Sequence, residues 1–223
     1  MEYLEFDGRG GYAEVPDSQD LSVATAGQLS VAAWMRPDTL TFPSVEGSGY
    51  VHWMGKGEGS GAQGNQEWVF RMYSQGNSEG RENRISFYVF NAEGHLGVGA
   101  YVEEPVTPGE WIHVVGVADG TDIHLYKDGT LKNTQHYSGV IRPAHGPAPL
   151  RFGTRDFHSF FRGAVAQVRV WSRALSGSEV AGLFDDSVPG AGLVAEWLFM
   201  VGRDSVGQHN AAVAGATWGT DDP

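Results

Sequence analysis

The run GAVAQVRVWSRALSGSEVAGLF, residues 163–184, constrains this chain more than any other segment. Val165, Val168 and Val170 with Trp171 make a β-branched and aromatic stretch suited to a strand. Ser176 stands three residues before Glu179, the capping-box spacing, and Val180, Leu183 and Phe184 supply a helical apolar stripe. A strand that ends in one short capped helix is unusual punctuation in a chain otherwise rich in strand and turn signals. Helix-period stretches are few, glycine occurs 32 times and aromatics reach 12%. Many short strands joined by Gly-rich turns suit a sandwich or barrel.

Strand signals fall at 2–7, 11–15, 29–36, 50–54, 67–73, 84–90, 95–102, 111–118, 122–127, 149–153, 163–171, 193–199 and 211–218. The segments between them carry Gly, Pro, Asn, Asp or Ser, as turns should. So many short strands with one helical turn predict an all-β fold of two antiparallel sheets stacked face to face. No fixed-period repeat is visible. At 223 residues the chain can bury roughly 70–75% of its unfolded surface without staples. A single domain over 1–223 is expected, with 193–218 as a C-terminal hairpin added to the sheet that holds the first strand.

Four further motifs, in order, resemble the LamG-like (concanavalin A-like lectin/glucanase) jellyroll family. LEFDGRGGYAEV (4–15) is similar to its opening strand pair around F-D-G, and LSVAAWMRP (29–37) to its a-W-v-x-P strand. EWIHVVGVADGTDIHLYKDG (110–129) is similar to its W-x-H-V…L-Y-x-D-G hairpin, and LRFG (150–153) to its l-r-I-G strand. The 163–184 run resembles the family's closing segment, G-x-I-D-E-V-R-I-Y-x-R-A-L-S. The segment 192–218 resembles a strand pair that often opens such domains, matching at Trp197, Phe199, Asp204, Ser205, Gly207, Gly215 and Trp218; here it closes the chain. The resemblance implies a jellyroll sandwich and a carbohydrate-binding role, although the fold hosts lectins, adhesion modules, lyases and hydrolases alike.

The formal net charge of −12 repels phosphate backbones, so nucleic acid and anionic membranes are not expected partners. Without cysteine, disulfides and thiolate metal sites are excluded. No apolar run approaches the ~20 residues of a membrane span. The N-terminus, MEYLEFDG, lacks the basic and apolar regions of a signal peptide. The resemblance implies an extracellular or cell-surface setting; the sequence alone leaves a cytoplasmic one open.

Chemical motifs are sparse. The glycines Gly59, Gly61 and Gly64 spell G-x-G-x-x-G, but the strand NQEWVFRMY follows where a dinucleotide site needs a helix. Lys56 is followed by Gly57 where a phosphate loop needs Ser or Thr. There is no G-x-S-x-G elbow and no E-x-D-x-x-E run. Glu103, Glu104, Asp119, Asp122, Asp185 and Asp186 fall in turns, where solvation is their default. His113 and His124 read as packed strand residues. His52, His95, His136, His145, His158 and His209 are isolated, with no H-E-x-x-H or H-x-H spacing to set two on one metal, so no transition-metal site is expected. Structural calcium is a candidate cofactor by resemblance, through Asp7 of F-D-G. However, Ala166 and Gln167 replace the family's acidic pair.

Strand parity nominates the ligand face. Trp68, Phe70 and Met72 share one side of 67–73, leaving Arg71 and Tyr73 on the other. Ile85, Phe87 and Val89 oppose Ser86, Tyr88 and Phe90; Leu96, Val98, Ala100 and Val102 oppose Gly97, Gly99 and Tyr101. Arg71, Tyr73, Tyr88 and Tyr101 are therefore the expected contacts for a polysaccharide or glycan, unless a loop such as 55–64 covers them. The loop TRDFHSFFRG (154–163) adds Arg155 and His158 among three phenylalanines that either bind or plug the sandwich end. Three functions stay open: a non-catalytic carbohydrate-binding or adhesion module, a polysaccharide lyase or glycoside hydrolase, and a structural domain with a protein partner. A lyase would draw its Tyr base and neutralising Arg from the same face.

Overall fold

The computed structural model describes residues 1–58, 65–91, 96–198 and 202–221. Their strands, in chain order, are β1 (Glu2–Asp7), β2 (Tyr12–Val15), β3 (Leu29–Pro37), β4 (Tyr50–Gly57), β5 (Gln66–Tyr73), β6 (Ile85–Phe90), β7 (Gly97–Tyr101) and β8 (Ile112–Ala118). They continue with β9 (Asp122–Lys127), β10 (Thr130–His136), β11 (Leu150–Phe152), β12 (Arg162–Trp171), β13 (Leu193–Trp197), β14 (Ala212–Ala214) and β15 (Thr217–Thr220). The first sheet runs β10-β9-β8-β3-β12-β1-β15, with β13 also on β12; the second runs β14-β2-β11-β4-β5-β6-β7. All named strand pairs are antiparallel. This is the expected two-sheet jellyroll.

Alternation puts one side of each sheet into a shared core. Leu4, Phe6, Val31, Met35, Val114, Leu125 and Val165 face Trp53, Trp68, Phe70, Phe87 and Phe152 across it. The aromatic pairs Phe70–Phe87 and Trp53–Phe70, at 4.6 and 4.8 Å between ring centroids, fill its middle. Helix α2 (Gly177–Phe184) closes a second, smaller core on the outside of the first sheet, where Val180 and Leu183 meet Trp171, Tyr126 and Val115. Its capping box forms as the spacing predicts: Ser176 Oγ accepts from Glu179 N–H, and Ser176 N–H donates to the Glu179 carboxylate. Arg173 grips the same carboxylate, and its hydrogen bonds lead the set that holds Glu179 at a pKa of about 2.

Several expectations need correction. β10 carried no strand signal, because its residues TLKNTQH lie at the sheet edge with little buried surface on either side. The one-turn helix α1 (Val23–Ala26), capped by Ser22 Oγ, and a 3₁₀ turn at Gln19–Leu21 were too short to register as periodicity. Leu96 lies outside its strand and is half exposed at 50%, not in the core row. The terminal segment is not one hairpin. β13 and β15 join the first sheet on β12 and β1, while β14 crosses to pair with β2 of the second. Asp204 makes the crossing possible. Its carboxylate accepts the N–H groups of Glu196, Val206, Gly207 and His209, which explains the D-S-x-G motif as fold chemistry. Phe199 and His95, together with Gly59, Gly61 and Gly64, lie outside the described residues.

Candidate functional site

On the outer face of the second sheet, His52 pairs with Arg71, Arg71 with Ser86 and Ser86 with Tyr101, so four strands contribute to one row. Tyr88 lies in the neighbouring row between Val69 and Gly99, and Tyr50 opposite Tyr73. Arg71, Tyr88 and Tyr101 are half-buried, whereas Tyr73 is fully buried. Tyr73 is thus a support rather than a ligand contact, since its ring is wedged beside Tyr50 and Tyr101. Two glycines shape the surface. A Cβ on Gly99 would lie 2.4 Å from the Tyr88 ring and one on Gly97 2.7 Å from the Phe90 ring, so both rings need bare backbone beneath them.

The polar groups are held in place from behind. The Arg71 guanidinium carbon lies 4.3 Å from the ring centroids of both Tyr50 and Tyr88, a double cation–π contact, and Arg71 Nε donates to His52 Nε2 at 3.1 Å. Arg81, from the connection after β5, donates to the hydroxyls of Tyr101, Tyr73 and Tyr88 at 2.5, 3.4 and 3.4 Å. This arginine bridges the tyrosine hydroxyls, while residues 59–64 of the loop considered as a cover for the face lie outside the described residues. Burial, then the neighbouring Tyr73, pushes the Tyr88 proton affinity far up.

Beside this row lies a buried charge cluster. Burial, with Arg155 and Arg71 nearby, holds the His52 pKa well below its ordinary value, so the ring is neutral. Its Nε2 accepts from Arg71, which leaves the proton on Nδ1, 2.7 Å from Glu46 Oε1 but off the line of a well-formed hydrogen bond. Glu46 is raised to about 7, first by burial and then by the Asp156 charge, against the pull of Arg155 and Arg71. Arg155, expected at the surface, is 4% exposed; it binds Asp156, and its second terminal nitrogen has no hydrogen-bond partner. His158 does stand in solvent, with its side chain 67% exposed. In the same loop Phe161 plugs the core against Trp53 and Phe42, whereas Phe157 is 41% exposed in a left-handed backbone conformation uncommon for an aromatic residue.

The Glu46 pKa has a measurable consequence. Glu46 holds its proton more tightly folded, at about 7, than unfolded, near 4.5, so its contribution to stability is full below 4.5 and is lost as pH rises through 7. Glu46→Gln should flatten the stability slope across that window. Urea unfolding at a series of pH values reads the slope directly, and an unchanged slope would assign it to other groups.

Calcium at Asp7 does not fit the residues present. Asp7 Oδ1 already accepts the N–H groups of Arg9, Gly10 and Gly11, and these hydrogen bonds lower its pKa. Register pairs Asp7 with Arg162, which leaves positions 166 and 167 roughly 13–16 Å further along β12. The two halves of the expected ligand set do not converge. Groups of three metal-type ligands with donor atoms within 4.8 Å of one another occur, among the described residues, at Glu46–His52–Asp156 and at Asp119–Asp122–His124. In the first group Arg71 and Arg155 occupy the positions next to the donors, which disfavours a cation there.

Residues 7–181 match the family described as the concanavalin A-like lectin/glucanases superfamily, well over half the chain. The chain belongs to that superfamily. No curated protein matches it in sequence. Solved structures share the fold at low identity. A Bacteroides ovatus protein whose carbohydrate binding is itself a proposal aligns at TM-score 0.71 and 17% identity, over 100% of this chain and 60% of its own. The heptameric SAP-like pentraxin of Limulus polyphemus aligns at TM-score 0.63 and 13% identity, over 98% and 94%. The binding domain of botulinum neurotoxin serotype D aligns at TM-score 0.57 and 14% identity, over 82% and 41%.

Four residues of the site escaped the sequence reading: Glu46, Tyr50, His52 and Arg81. Parity could have added Tyr50 and His52, which alternate with Val51 and Trp53 in β4. Glu46 and Arg81 sit in connections, where no periodicity points at a face.

Proposed function

We propose that residues 1–223 act as one non-catalytic glycan-binding module of the superfamily, its ligand lying across Tyr50, Arg71, Tyr88 and Tyr101. The observation that carries this reading is the fixed row itself. Tyr88 and Tyr101 offer partly open rings and hydroxyls, and Arg71 and Arg81 lock them, so little ordering entropy remains to be lost on binding. Aromatic faces stack on the C–H faces of sugars, while guanidinium and hydroxyl groups bond sugar hydroxyls. Such a role suits an extracellular or cell-surface protein.

A glycan array with and without chelator, followed by a product assay on any hit, tests this reading. Tyr88→Ala and Tyr101→Ala should each weaken binding by ~1–2 kcal/mol, about 5- to 30-fold in Kd, with no product formed. Normal binding by both variants would move the site to Phe157 and His158. A lyase or hydrolase has one observation in its favour, the near-neutral Glu46 beside Asp156. The raised Tyr88 proton affinity opposes it, because a tyrosine base needs the reverse shift.

A further inference from the structure

We propose that the outer face of the β9–β10 hairpin is a site for a divalent transition metal, with zinc the best fit, formed by Asp119, Asp122, His124 and His136. Register pairs Asp122 with His136 and His124 with Thr134, so all four lie on one face of two neighbouring strands. Ile123 and Leu125 point into the core, which turns that face outward. Asp119 arrives from the turn between β8 and β9. Its Oδ1 is taken by the N–H groups of Thr121 and Asp122, which aims Oδ2 at the hairpin. His124 Nε2 lies 2.9 Å from Asp119 Oδ2, and His136 Nδ1 lies 2.8 Å from Asp122 Oδ1.

The donor set separates this group from an ordinary acidic surface. Two imidazoles and two carboxylates suit zinc and its transition-metal neighbours, whereas calcium and magnesium favour an all-oxygen shell. The donor atoms of Asp119, Asp122 and His124 already lie within 4.8 Å of one another, close to the spacing that ~2.0–2.2 Å bonds to one ion require. His136, 61% exposed, can turn into the fourth place. His124 also has the outer support that metal-binding histidines carry, with Thr134 Oγ1 3.0 Å from Nδ1. When that nitrogen bears the ring proton, Nε2 and the Asp119 carboxylate are two acceptors in contact, and a cation between them removes the repulsion. Neither histidine was within reach of a spacing motif. The juxtaposition is created by β10, and it stands on the opposite sheet from the glycan row.

Calorimetric titration of the tag-free chain with zinc chloride, after chelator treatment, tests the proposal. One equivalent should bind and raise the melting temperature, reversibly with chelator, while calcium should neither bind there nor compete. His124→Gln and His136→Gln should each weaken zinc binding at least ten-fold, whereas His158→Gln, outside the group, should leave it unchanged. Cobalt titration of the unaltered chain adds a readout that needs no variant, since a tetrahedral nitrogen and oxygen site gives an intense visible spectrum. Absence of zinc binding, or binding unaffected in both hairpin variants, would overturn the site and leave these contacts as proton-bridged ion pairs.

Discussion

Trp197→Ala should destabilise the protein by ~3–5 kcal/mol, the range for deleting a fully buried large aromatic side chain. Trp197 is completely buried, its ring 5.3 Å from that of Phe152 on the opposite sheet, so it bridges the two layers. Its indole N–H donates to the His209 carbonyl at 2.7 Å, which ties the crossing segment to β13. Removing the ring leaves a cavity between the sheets and an unpaired carbonyl at the crossing. Trp218→Ala is the matched comparison. Trp218 pairs with Leu4 at the same end of the chain but is 45% exposed, so its loss should cost less than ~1 kcal/mol. Urea unfolding of both variants measures the contrast. Equal midpoints would show that the terminal strands add nothing to the sandwich.

That contrast also shows where the sequence was legible. Alternation exposes a strand's sides when one side is buried and the other is not, as in β5, whose Trp68, Phe70 and Met72 enter the core while Arg71 faces out. Alternation misleads in two opposite cases. Tyr73 has the parity of a surface residue yet is buried, because connections from elsewhere in the chain roof its side of the sheet. β10 has no apolar row at all, so an edge strand was read as a turn, and with it went the pairing of Asp122 and His136. Glu46, which acts through long-range convergence, carries no local signal, and Arg155 was marked only by the aromatic density of its loop, which did not show its burial. Their positions depend on how the 44–50 and 154–160 segments meet over β4, seen in the Ser44–Phe160 bridge and in the hydrogen bond from His52 N–H to Ser159 Oγ.

Lys56→Met should cost ~3–5 kcal/mol, the penalty for breaking a buried ion pair by removing one partner. Gly57 already excluded Lys56 from a phosphate loop, and the lysine side chain is fully buried at the end of β4. Its ammonium group donates to Asp17 at 2.7 Å and to the carbonyls of Gly146 and Ala148 at 2.8 Å, with Glu67 Oε1 also at 2.8 Å. The three protons of the group are therefore fully used. They staple the connection before β11 to the second sheet. Methionine keeps the length and apolar packing of the lysine stem, so the loss isolates the charge. Glu67, 2% exposed, then keeps the Gly146 N–H and the nearby His145 ring but no full counter-charge. Two readouts follow. Amide exchange at Gly146 and Ala148 should accelerate as the connection loosens. The double variant Lys56→Met, Glu67→Leu should recover much of the lost stability, because it removes both buried charges together. A double variant no more stable than Lys56→Met alone would show that the carbonyl contacts, and not the ion pair, carry the staple.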